Sequence, residues 1–386
     1  MLEGQSIVCF ANDWSADPTS KTHIMRILAR RNRVLWVDSI GMRRPAATAY
    51  DARRIGTKLR RVFRGCRPVE PGLFVGSPLA LPFPGNIAAD RINASVLSAW
   101  LKWQLKRLGM TRPILWSFMP NVSRLVGRLG ERMVVYHCVD DYAEFAGVSR
   151  TSIRRLEADL VRRADVVLTS SEKLRDERLG LNPRTHFVTH GVDVEHFGRA
   201  LDPGTPLPEE LRHLPRPIVG FFGLIAEWID VSLIRAMADR HPDWSIVLVG
   251  RAATDLSAIE GKPNVRLLGR KPYAALPAYC RGFDAGIVPF TMTDLTVRAN
   301  PLKLREYLAA GLPVASTPLP EVLRYGSLVE TGRSDHEFVA AVERALARRS
   351  PAAVKARVDA MRAESWEARV EEITSLLSGP LTRAVA

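Results

Sequence analysis

The sequence predicts an α/β protein with two doubly wound, parallel-sheet domains. With 386 residues the chain is long enough for two domains. In both halves short apolar segments alternate with helical patterns, as strands and helices do in parallel sheets. Between the halves, residues 198–217 hold five prolines and two glycines in a polar context, which is typical of a linker. We expect an N-terminal domain, a linker, a second domain and a helical segment that crosses back to the first domain, over residues 1–197, 198–216, 217–350 and 351–386.

The first half opens with a strand, a helix and a second strand. An apolar strand over Ile7–Ala11 precedes a helix from Thr19 or Ser20 to about Arg31, and the next strand covers Val34–Val37. This opening lacks a Gly-x-Gly-x-x-Gly turn, which argues against the usual dinucleotide-binding fingerprint. Further strands are expected at Ile114–Phe118, Met133–Cys138, Val166–Thr169 and Phe187–Thr189, with helices near Ile87–Leu108, Val122–Leu129, Ile153–Arg163 and Glu172–Leu179.

The same alternation restarts after the linker. Near the end of the second half, residues from about Pro351 to Leu377 form one long predicted helical stretch. Strands are expected at Ile218–Phe222, Ile246–Val249, Val265–Leu268, Gly286–Pro289 and Val314–Ser316, and helices at Val231–Arg240, Ala274–Arg281, Pro301–Ala310 and Asp335–Arg348.

Composition places the chain among folded globular proteins, with 46% hydrophobic and 25% charged residues. Every apolar run is broken before it could cross a bilayer, and the N-terminus reads as a strand rather than a signal peptide. The cysteines are scattered, which favours buried free thiols and a cytoplasmic location. A net charge of +14 predicts anionic partners. The four cysteines are Cys9, Cys66, Cys138 and Cys280.

Two segments of the first half indicate a membrane-facing surface. Residues 42–67 are strongly basic around an apolar stripe of Leu59, Val62 and Phe63. The helix near Ile87–Leu108 carries tryptophans beside cations, as interfacial membrane anchors do. The alternative is a domain helix with core tryptophans and solvated cations. We expect peripheral attachment to an anionic membrane. The helix residues concerned are Trp100, Trp103, Lys102, Lys106 and Arg107.

The stretch from Asn300 to Thr317 is the strongest candidate for a binding element. Asn300 suits a helix N-cap and Pro301 the first helical position. Lys303 and Glu306 share a face near the helix start, where free N–H groups and the helix dipole attract phosphate. Glu306 could accept hydrogen bonds from the two hydroxyls of a ribose. The alternative is a solvated Lys–Glu pair on an amphipathic helix.

Glycines and cations follow the other strands of the second half. Ligands bind beyond the carboxyl ends of strands in open parallel sheets, so these residues are expected to converge on one rim with the Asn300 helix. A diphosphate with a ribose is the natural occupant of such a rim. The residues are Gly223 after the first strand, Gly250-Arg251 after the second, Gly269-Arg270-Lys271 after the third and Pro289-Phe290 after the fourth.

Taken in order, these segments resemble the donor half of a GT-B glycosyltransferase of the group 1, or family 4, type. The segments are Leu-Val-Gly250, Asn264-Val-Arg-Leu-Leu-Gly-Arg270, Phe283-Asp-Ala-Gly-Ile-Val-Pro-Phe290 and Asn300-Pro-Leu-Lys-Leu-Arg-Glu-Tyr-Leu-Ala-Ala-Gly-Leu-Pro-Val314. His190-Gly-Val-Asp193 is similar to the turn before the family's interdomain linker. Tyr136-His-Cys-Val-Asp-Asp141 resembles a subgroup from bacterial polysaccharide and cell-wall clusters.

The resemblance implies two Rossmann-like domains facing a cleft, with the nucleotide-sugar held by the second domain. It implies that Glu306 binds the ribose and Lys303 the diphosphate. Two departures stand out: Arg298 occupies the place of the family's first paired glutamate, and the family's Arg…Lys pair is missing from residues 224–230. Arg298 is expected to supply phosphate-binding charge instead. The expected donor-binding set is Gly223, Gly250, Arg251, Arg270, Lys271, Arg298, Asn300, Leu302, Lys303 and Glu306.

Candidate catalytic residues lie in the first half. If the transfer inverts configuration, a carboxylate or His must act as base, and Asp140, Asp141 and Asp13 lie at predicted strand ends. If it retains configuration, the leaving phosphate can take the proton. His23 is a candidate contact near a helix start, whereas His137 is expected in the core. No metal site is expected, because two adjacent carboxylates without a third ligand hold magnesium poorly.

The predicted function is therefore transfer of a sugar from a nucleotide-sugar, UDP- or GDP-linked, to a carbohydrate in bacterial envelope glycan synthesis. The expected acceptor is lipid-linked, for example through a polyprenyl diphosphate, and the reaction is metal-independent, without cofactor, and retaining. Two alternatives are a GT-B-shaped nucleotide-sugar epimerase and a catalytically silent pseudo-transferase. A nucleic-acid-binding role lacks a recognisable groove-reading module.

Overall fold

The computed structural model describes residues 2–40, 65–81 and 86–383 and divides the chain into two compact units. The first unit comprises Met1–Thr189 and Arg369–Ala386, and the second comprises His190–Ala368. The boundaries differ from the predicted ones because residues 190–216 fold onto the second unit. Leu211 is buried there, against the position that a Gly282 side chain would occupy. The segment expected to be a linker is therefore part of a folded unit.

Within the described residues, the first unit contains an eight-stranded sheet in the order β3-β4-β2-β1-β5-β6-β7-β8. All neighbouring pairs are parallel except the β3–β4 pair, which is antiparallel. The strands are β1 (Ser6–Phe10), β2 (Arg33–Val37), β3 (Arg67–Glu70), β4 (Leu73–Gly76), β5 (Ile114–Ser117), β6 (Met133–Cys138), β7 (Val166–Thr169) and β8 (Thr185–Phe187).

Helices cover this sheet, and four of them lie within the described part of the unit's N-terminal stretch. They are α1 (Ser20–Ala29), α2 (Ile87–Arg107), α3 (Arg150–Arg163) and α4 (Glu172–Leu179), with short 3-10 helices at Pro120–Leu125 and Tyr142–Glu144. The predicted helix near Val122–Leu129 was wrong in type and extent, since the first of those 3-10 helices occupies its start. Strands β3 and β4 were not predicted.

The first sheet has a topological switch point between β1 and β5. From β1 the chain continues to β2 on one side, whereas β5 pairs with β1 on the other side. The central strands are apolar on both faces, and the side chains of Trp36, Trp116 and Tyr136 are fully buried. Such a switch point leaves room for a ligand beyond the carboxyl ends of the strands.

The second unit contains, among its described residues, a six-stranded parallel sheet in the order β11-β10-β9-β12-β13-β14. Its switch point lies between β9 and β12. The strands are β9 (Ile218–Phe222), β10 (Ser245–Val249), β11 (Val265–Leu267), β12 (Ala285–Val288), β13 (Val314–Ser316) and β14 (Val329–Thr331). The helices are α5 (Val194–Gly198), α6 (Glu209–Arg212), α7 (Val231–Arg240), α8 (Leu276–Gly282), α9 (Leu302–Ala309), α10 (Pro320–Leu323), α11 (Asp335–Ala347) and α12 (Pro351–Arg362).

Helix α9 is fixed against the switch point of the second sheet by Tyr307. Its hydroxyl accepts a hydrogen bond of 3.0 Å from the backbone N–H of Phe222. A side chain at Gly286 would approach the Tyr307 ring to 2.7 Å, so the strand accommodates the ring only because it has glycine there. These contacts place the start of α9 at the carboxyl ends of β9 and β12.

The helical stretch predicted from Pro351 to Leu377 is interrupted. Helix α12 ends at Arg362, and α13 (Trp366–Arg383) begins after a short break. In the break the backbone N–H of Val192 donates to Glu364 O at 2.9 Å, and Val192 pairs with Ser365. From Arg369 onward α13 belongs to the first unit, which confirms the expected return of the chain.

Candidate functional site

Two glycines form the floor of the candidate site at the ends of β9 and β10. Gly223 has a φ of +130°, a conformation that side-chain-bearing residues rarely adopt. A side chain at Gly250 would lie 1.7 Å from the carbonyl oxygen of Gly223. Both positions therefore require glycine for backbone reasons. Because neither residue has a side chain, the loop backbone there is uncovered, as a phosphate-binding rim requires.

The Lys303 ammonium lies directly at the switch point of the second sheet. Its Nζ is 5.3 Å from the ring centroid of Phe221 in β9 and 4.9 Å from that of Phe290, which follows β12. Its Cε would be 3.1 Å from a side chain at Gly223. The aromatic faces attract the cation and hold it in place. Lys303 therefore presents a positive charge beside the glycine floor.

Burial lowers the pKa of Lys303 and raises that of Glu306, so the two pKa values lie closer together than usual. Desolvation lowers the pKa of Lys303, and the nearby Glu306 charge partly opposes this. Desolvation raises the pKa of Glu306, Lys303 lowers it, and the Asp193 charge raises it further. Neither side chain forms a hydrogen bond or an ion pair within the described part of the chain. Both groups are therefore available to a ligand that brings phosphate and hydroxyl groups.

Asn300 has a different place from the one predicted. Helix α9 begins at Leu302 with Pro301 as its N-cap, one residue later than expected. The side-chain oxygen of Asn300 instead accepts a hydrogen bond of 2.6 Å from Arg305. Arg305, which the sequence analysis missed, is buried and also donates to Glu364 at 2.7 Å. A buried guanidinium needs several hydrogen-bond acceptors, so the Asn300 side chain bonds to Arg305 instead of capping α9.

The remaining residues predicted to bind the nucleotide-sugar donor fall into two groups. Arg251 and Arg270 are exposed, and Leu302 is half-buried at the start of α9. Lys271 and Arg298 are engaged within the protein. Lys271 donates to Glu210 at 2.6 Å, and Arg298 lies 3.3 Å from the carboxylate of Asp294. For these five residues the donor-binding role stays a prediction.

The turn from His190 to Asp193 lies in the second unit rather than before a linker. A side chain at Gly191 would approach Trp366 to 2.8 Å. The Asp193 carboxylate caps α5 by accepting a hydrogen bond of 2.9 Å from His196 N. The His196 ring stacks on Tyr273 with centroids 4.4 Å apart. Tyr273 had no signal in the sequence, since only folding brings it to this turn.

The predicted catalytic carboxylates of the first unit have different environments. Asp141 is buried, lies 2.7 Å from Arg154 and caps the 3-10 helix that starts at Tyr142. No described group donates a hydrogen bond to the Asp140 carboxylate. Burial raises the pKa of Asp140 to about 6, an effect opposed by the nearby Lys21 charge. Asp141 is thus bonded within the protein, whereas the Asp140 carboxylate is not, and the catalytic role of both stays a prediction.

Lys21 is the residue of the first unit that the sequence analysis missed. It lies in the first turn of α1, is only 8% exposed, and donates a hydrogen bond of 3.0 Å to the hydroxyl of Tyr142. Burial lowers its pKa, and the charge of Asp140 opposes that effect. A lysine in an amphipathic helix start carries no sequence signal for burial. Only the packing of α1 against the segment after β6 reveals it.

The two histidines considered in the sequence differ in burial. His137 in β6 is buried and stacks on Phe118 at 4.9 Å, as expected for a core residue. Its Nδ1 has no hydrogen-bond partner among the described residues, and burial together with the Lys21 charge lowers its pKa to about 3. It is therefore neutral at physiological pH. His23 in α1 and Asp13 are half-buried, and their roles stay predictions.

The exposed face of α2 carries apolar side chains. Ile92, Val96 and Trp103 are 51%, 50% and 55% exposed. Trp100 is half-buried and packs where a Gly76 side chain would lie, at 2.6 Å. The helix thus combines a core tryptophan with an exposed one, which Arg107 flanks at 5.5 Å. The predicted basic segment 42–67, with Leu59, Val62 and Phe63, lies outside the described residues as far as residue 64.

Residues 2–40, 65–81 and 86–383 contain neither a metal-ligand cluster nor a membrane-spanning helix. No group of three or more His, Cys, Asp and Glu residues in these ranges is placed to hold a metal ion. No helix within them is both long and apolar enough to cross a membrane.

Comparison with known proteins defines the class. Residues 216–348 match the model of the family described as glycosyl transferases group 1. The chain is 30% identical over 283 residues to TuaH of Bacillus subtilis, a glycosyltransferase assigned to teichuronic acid biosynthesis, and the match covers 68% of this chain and 71% of that one. The chain belongs to the group 1 glycosyltransferases and is an enzyme of that class.

Solved structures agree on the fold. Sucrose-phosphate synthase from Thermosynechococcus elongatus superposes with a TM-score of 0.68 at 17% identity, covering 98% of this chain and 100% of that one. HepE from Anabaena in complex with UDP gives a TM-score of 0.66 at 13% identity, covering 97% and 100%. The two parallel-sheet units are those of the GT-B architecture, as predicted.

Proposed function

We propose that this glycosyltransferase moves a sugar from a nucleotide-sugar, UDP- or GDP-linked, to a carbohydrate acceptor in bacterial envelope glycan synthesis. The observation that carries the proposal is the position of Lys303 and Glu306 at the switch point of the second sheet. There the Lys303 cation lies beside two glycines that have no side chains, and the Glu306 carboxylate lies one turn further along α9. TuaH, assigned to teichuronic acid biosynthesis, and HepE, solved with UDP, support the substrate class.

The proposed chemistry follows from where negative charge develops. As the bond between the sugar carbon and the phosphate oxygen breaks, its electron pair stays on the leaving diphosphate. The Lys303 ammonium and the N–H groups at the start of α9 stabilise that charge from fixed positions. This set of donors supports a metal-independent transfer without a cofactor.

We further propose that the transfer retains the anomeric configuration. The acceptor oxygen then bonds to the sugar carbon on the face that the diphosphate leaves, and the diphosphate oxygen takes the acceptor's proton. Such a route needs no protein base. In the first unit Arg154 holds the Asp141 carboxylate and the buried His137 imidazole is a weak base, which leaves Asp140 and Asp13 as the candidate bases of the inverting alternative.

The donor proposal is tested by isothermal titration calorimetry with UDP, GDP and dTDP. We expect one nucleotide to bind wild-type protein and the Glu306→Gln variant to bind it about 10-fold or more weakly, because the ribose loses a charged acceptor. Asp335→Asn changes an exposed residue at the start of α11; it is the control and should bind as wild type does. Equal affinity of wild type and Glu306→Gln would contradict the assignment.

The same preparation distinguishes the reaction types. Incubation with the sugar form of the bound nucleotide and no acceptor should give slow hydrolysis at most. A new sugar nucleotide would favour the epimerase, and complete inertness with every acceptor would favour the pseudo-transferase. The anomeric proton of the product, measured by NMR, tests retention.

We propose that the enzyme acts at the inner face of the plasma membrane on a lipid-linked acceptor, for example a polyprenyl diphosphate glycan. The support is the exposed apolar face of α2, formed by Ile92, Val96 and Trp103, together with the net charge of +14. The free cysteines fit a reducing compartment.

Flotation with vesicles tests this membrane contact. We expect wild type to bind vesicles containing phosphatidylglycerol and Trp103→Glu to bind several-fold less, because an aromatic anchor is lost and a like charge is added. Leu323→Glu is the matched control, since Leu323 is 54% exposed in the second unit. Equal loss in both variants, or no binding by wild type, would refute the proposed surface.

A further inference from the structure

The mechanism leaves one buried polar cluster of the first unit without a function. It lies after β6 and against the start of α1, on the carboxyl-end side of the first sheet. Lys21 donates one hydrogen bond to Tyr142, so two of its three N–H donors have no partner in the described protein. The Asp140 carboxylate accepts no hydrogen bond from a described group. A buried lysine beside a half-buried carboxylate is costly unless a ligand or water completes their bonding.

Lys21 and Asp140 influence each other without direct contact. Each alters the proton affinity of the other, yet no nitrogen of Lys21 lies within 4.0 Å of an Asp140 oxygen. Lys21 has N–H donors without a partner in the described protein, and the carboxylate of the nearby Asp140 has acceptors without one. A hydroxyl group both accepts and donates, so the hydroxyl groups of one sugar can accept from Lys21 and donate to Asp140.

The charges of Lys21, Asp140 and their neighbours disfavour an anionic ligand. At neutral pH the Lys21 ammonium and the Asp140 carboxylate cancel, and Arg154 pairs with Asp141. Burial keeps His137 neutral by lowering its pKa, and keeps Cys9 and Tyr142 neutral by raising theirs. A phosphate placed beside Lys21 would also meet the Asp140 carboxylate. The titratable groups that face the pair are Cys9 from β1, His137 and Cys138 from β6, and Asp141 and Tyr142 from the following segment.

We propose that Lys21 and Asp140 form a subsite that binds hydroxyl groups of an uncharged sugar residue, the acceptor of the transfer. Lys21 donates to one hydroxyl oxygen, Asp140 accepts from a hydroxyl, and Tyr142 positions the Lys21 ammonium. The inference rests on the proposed function, from which it takes the sugar as acceptor. It adds which residues recognise that sugar and that the recognised residue carries no charge.

Saturation-transfer NMR on the full chain tests the subsite directly. The probes are the methyl glycosides of glucose, galactose, mannose and N-acetylglucosamine, with inorganic phosphate as the anionic comparison. We expect at least one glycoside to bind wild-type protein. Lys21→Met and Asp140→Asn should each weaken that binding roughly 10- to 100-fold, the loss typical of a hydrogen bond to a charged group.

The controls separate recognition from a structural role. Lys173→Met removes an exposed cation of α4 and should bind the glycoside as wild type does. Tyr142→Phe removes only the hydroxyl that positions Lys21 and should weaken binding less than Lys21→Met does. Wild-type binding should weaken as the pH falls through about 6, where Asp140 takes up a proton, and the binding of Asp140→Asn should not follow that profile.

The outcomes are decisive for the subsite alone. Absence of glycoside binding, unchanged binding in both variants, or binding of phosphate that depends on Lys21 would overturn the inference. UDP and GDP titrations of the same variants report on the proposed function separately, because the donor site lies on the second unit. If the Lys21 and Asp140 variants bind nucleotide as wild type does but no longer bind the glycoside, the subsite is supported. If wild-type protein binds no nucleotide, only the donor proposal is refuted.

Discussion

Replacement of Lys303 by Met should separate nucleotide binding from stability. Met has a similar length and can fill the space between Phe221 and Phe290, so the variant removes the charge and leaves the packing. A charged hydrogen-bond donor to a diphosphate contributes about 1.5–3 kcal/mol, so the affinity for UDP or GDP should fall roughly 10- to 150-fold.

The stability of Lys303→Met should change little, because two effects oppose each other. Loss of attraction to two aromatic faces costs about 0.5–1 kcal/mol for each ring. Burial lowers the pKa of Lys303, which means that the folded protein holds the charged form at a cost that Met removes. We therefore expect the free energy of unfolding to change by about 1 kcal/mol or less.

Calorimetric titration and urea unfolding of the same sample measure both quantities. Lys262→Met is the control, because Lys262 forms an exposed ion pair with Asp239 in the same unit, and its nucleotide affinity should equal that of wild type. An affinity of Lys303→Met within twofold of wild type would show that the ammonium does not contact the diphosphate. A loss of stability above about 3 kcal/mol would show that the charge is needed by the fold.

Two further predictions concern the floor of the donor site and the core of the first unit. Gly250→Ala should destabilise the second unit by more than about 3 kcal/mol and abolish nucleotide binding, because its Cβ would lie 1.7 Å from Gly223 O. Gly198→Ala, with no atom within 4 Å, should be neutral or slightly stabilising in the same urea titration; similar losses in both variants would contradict the steric argument. Because the pKa of His137 falls from 6.5 to about 3 on folding, its contribution to stability is complete above pH 6.5 and declines as the pH falls toward 3. Between pH 7.5 and 4.5 wild type should therefore lose roughly 2–3 kcal/mol more than His137→Gln, and parallel pH profiles in urea unfolding would refute the buried neutral imidazole.

The sequence predicted most strands because their apolar runs are buried on both faces. The stretches Ile218–Phe222 and Met133–Cys138 are strands of the structure with those same ends. It missed β4 and the antiparallel strand β3, whose residues Arg67–Glu70 form no buried apolar run. It also placed the cap of α9 one residue early, because Asn300 is a good capping residue by type. In the structure the Asn300 side chain instead accepts a hydrogen bond from the buried Arg305.

Part of the candidate donor site was predictable, whereas the candidate subsite of the first unit was not. Lys303, Glu306 and the glycines follow strands at positions that any parallel sheet brings to one edge. Lys21 and Asp140 lie more than a hundred residues apart, and neither position indicates that the other is near. Their proximity depends on the pairing of β1 with β5 and of β5 with β6.

By itself the sequence determined the two parallel sheets and the position of the candidate donor-binding helix, because these depend on local patterns of apolar residues, glycines and charges. The glycosyltransferase class came from the resemblance of its motifs to a known family. Only the tertiary structure decided which charged groups are already bonded within the protein and which remain available. Lys271, Arg298 and Asp141 are paired, whereas Lys303, Glu306 and Asp140 accept or donate no hydrogen bond to a described group. The reason is physical: burial and pairing are set by neighbours that are distant in the chain, and they fix which ionisable side chains can still bind a ligand.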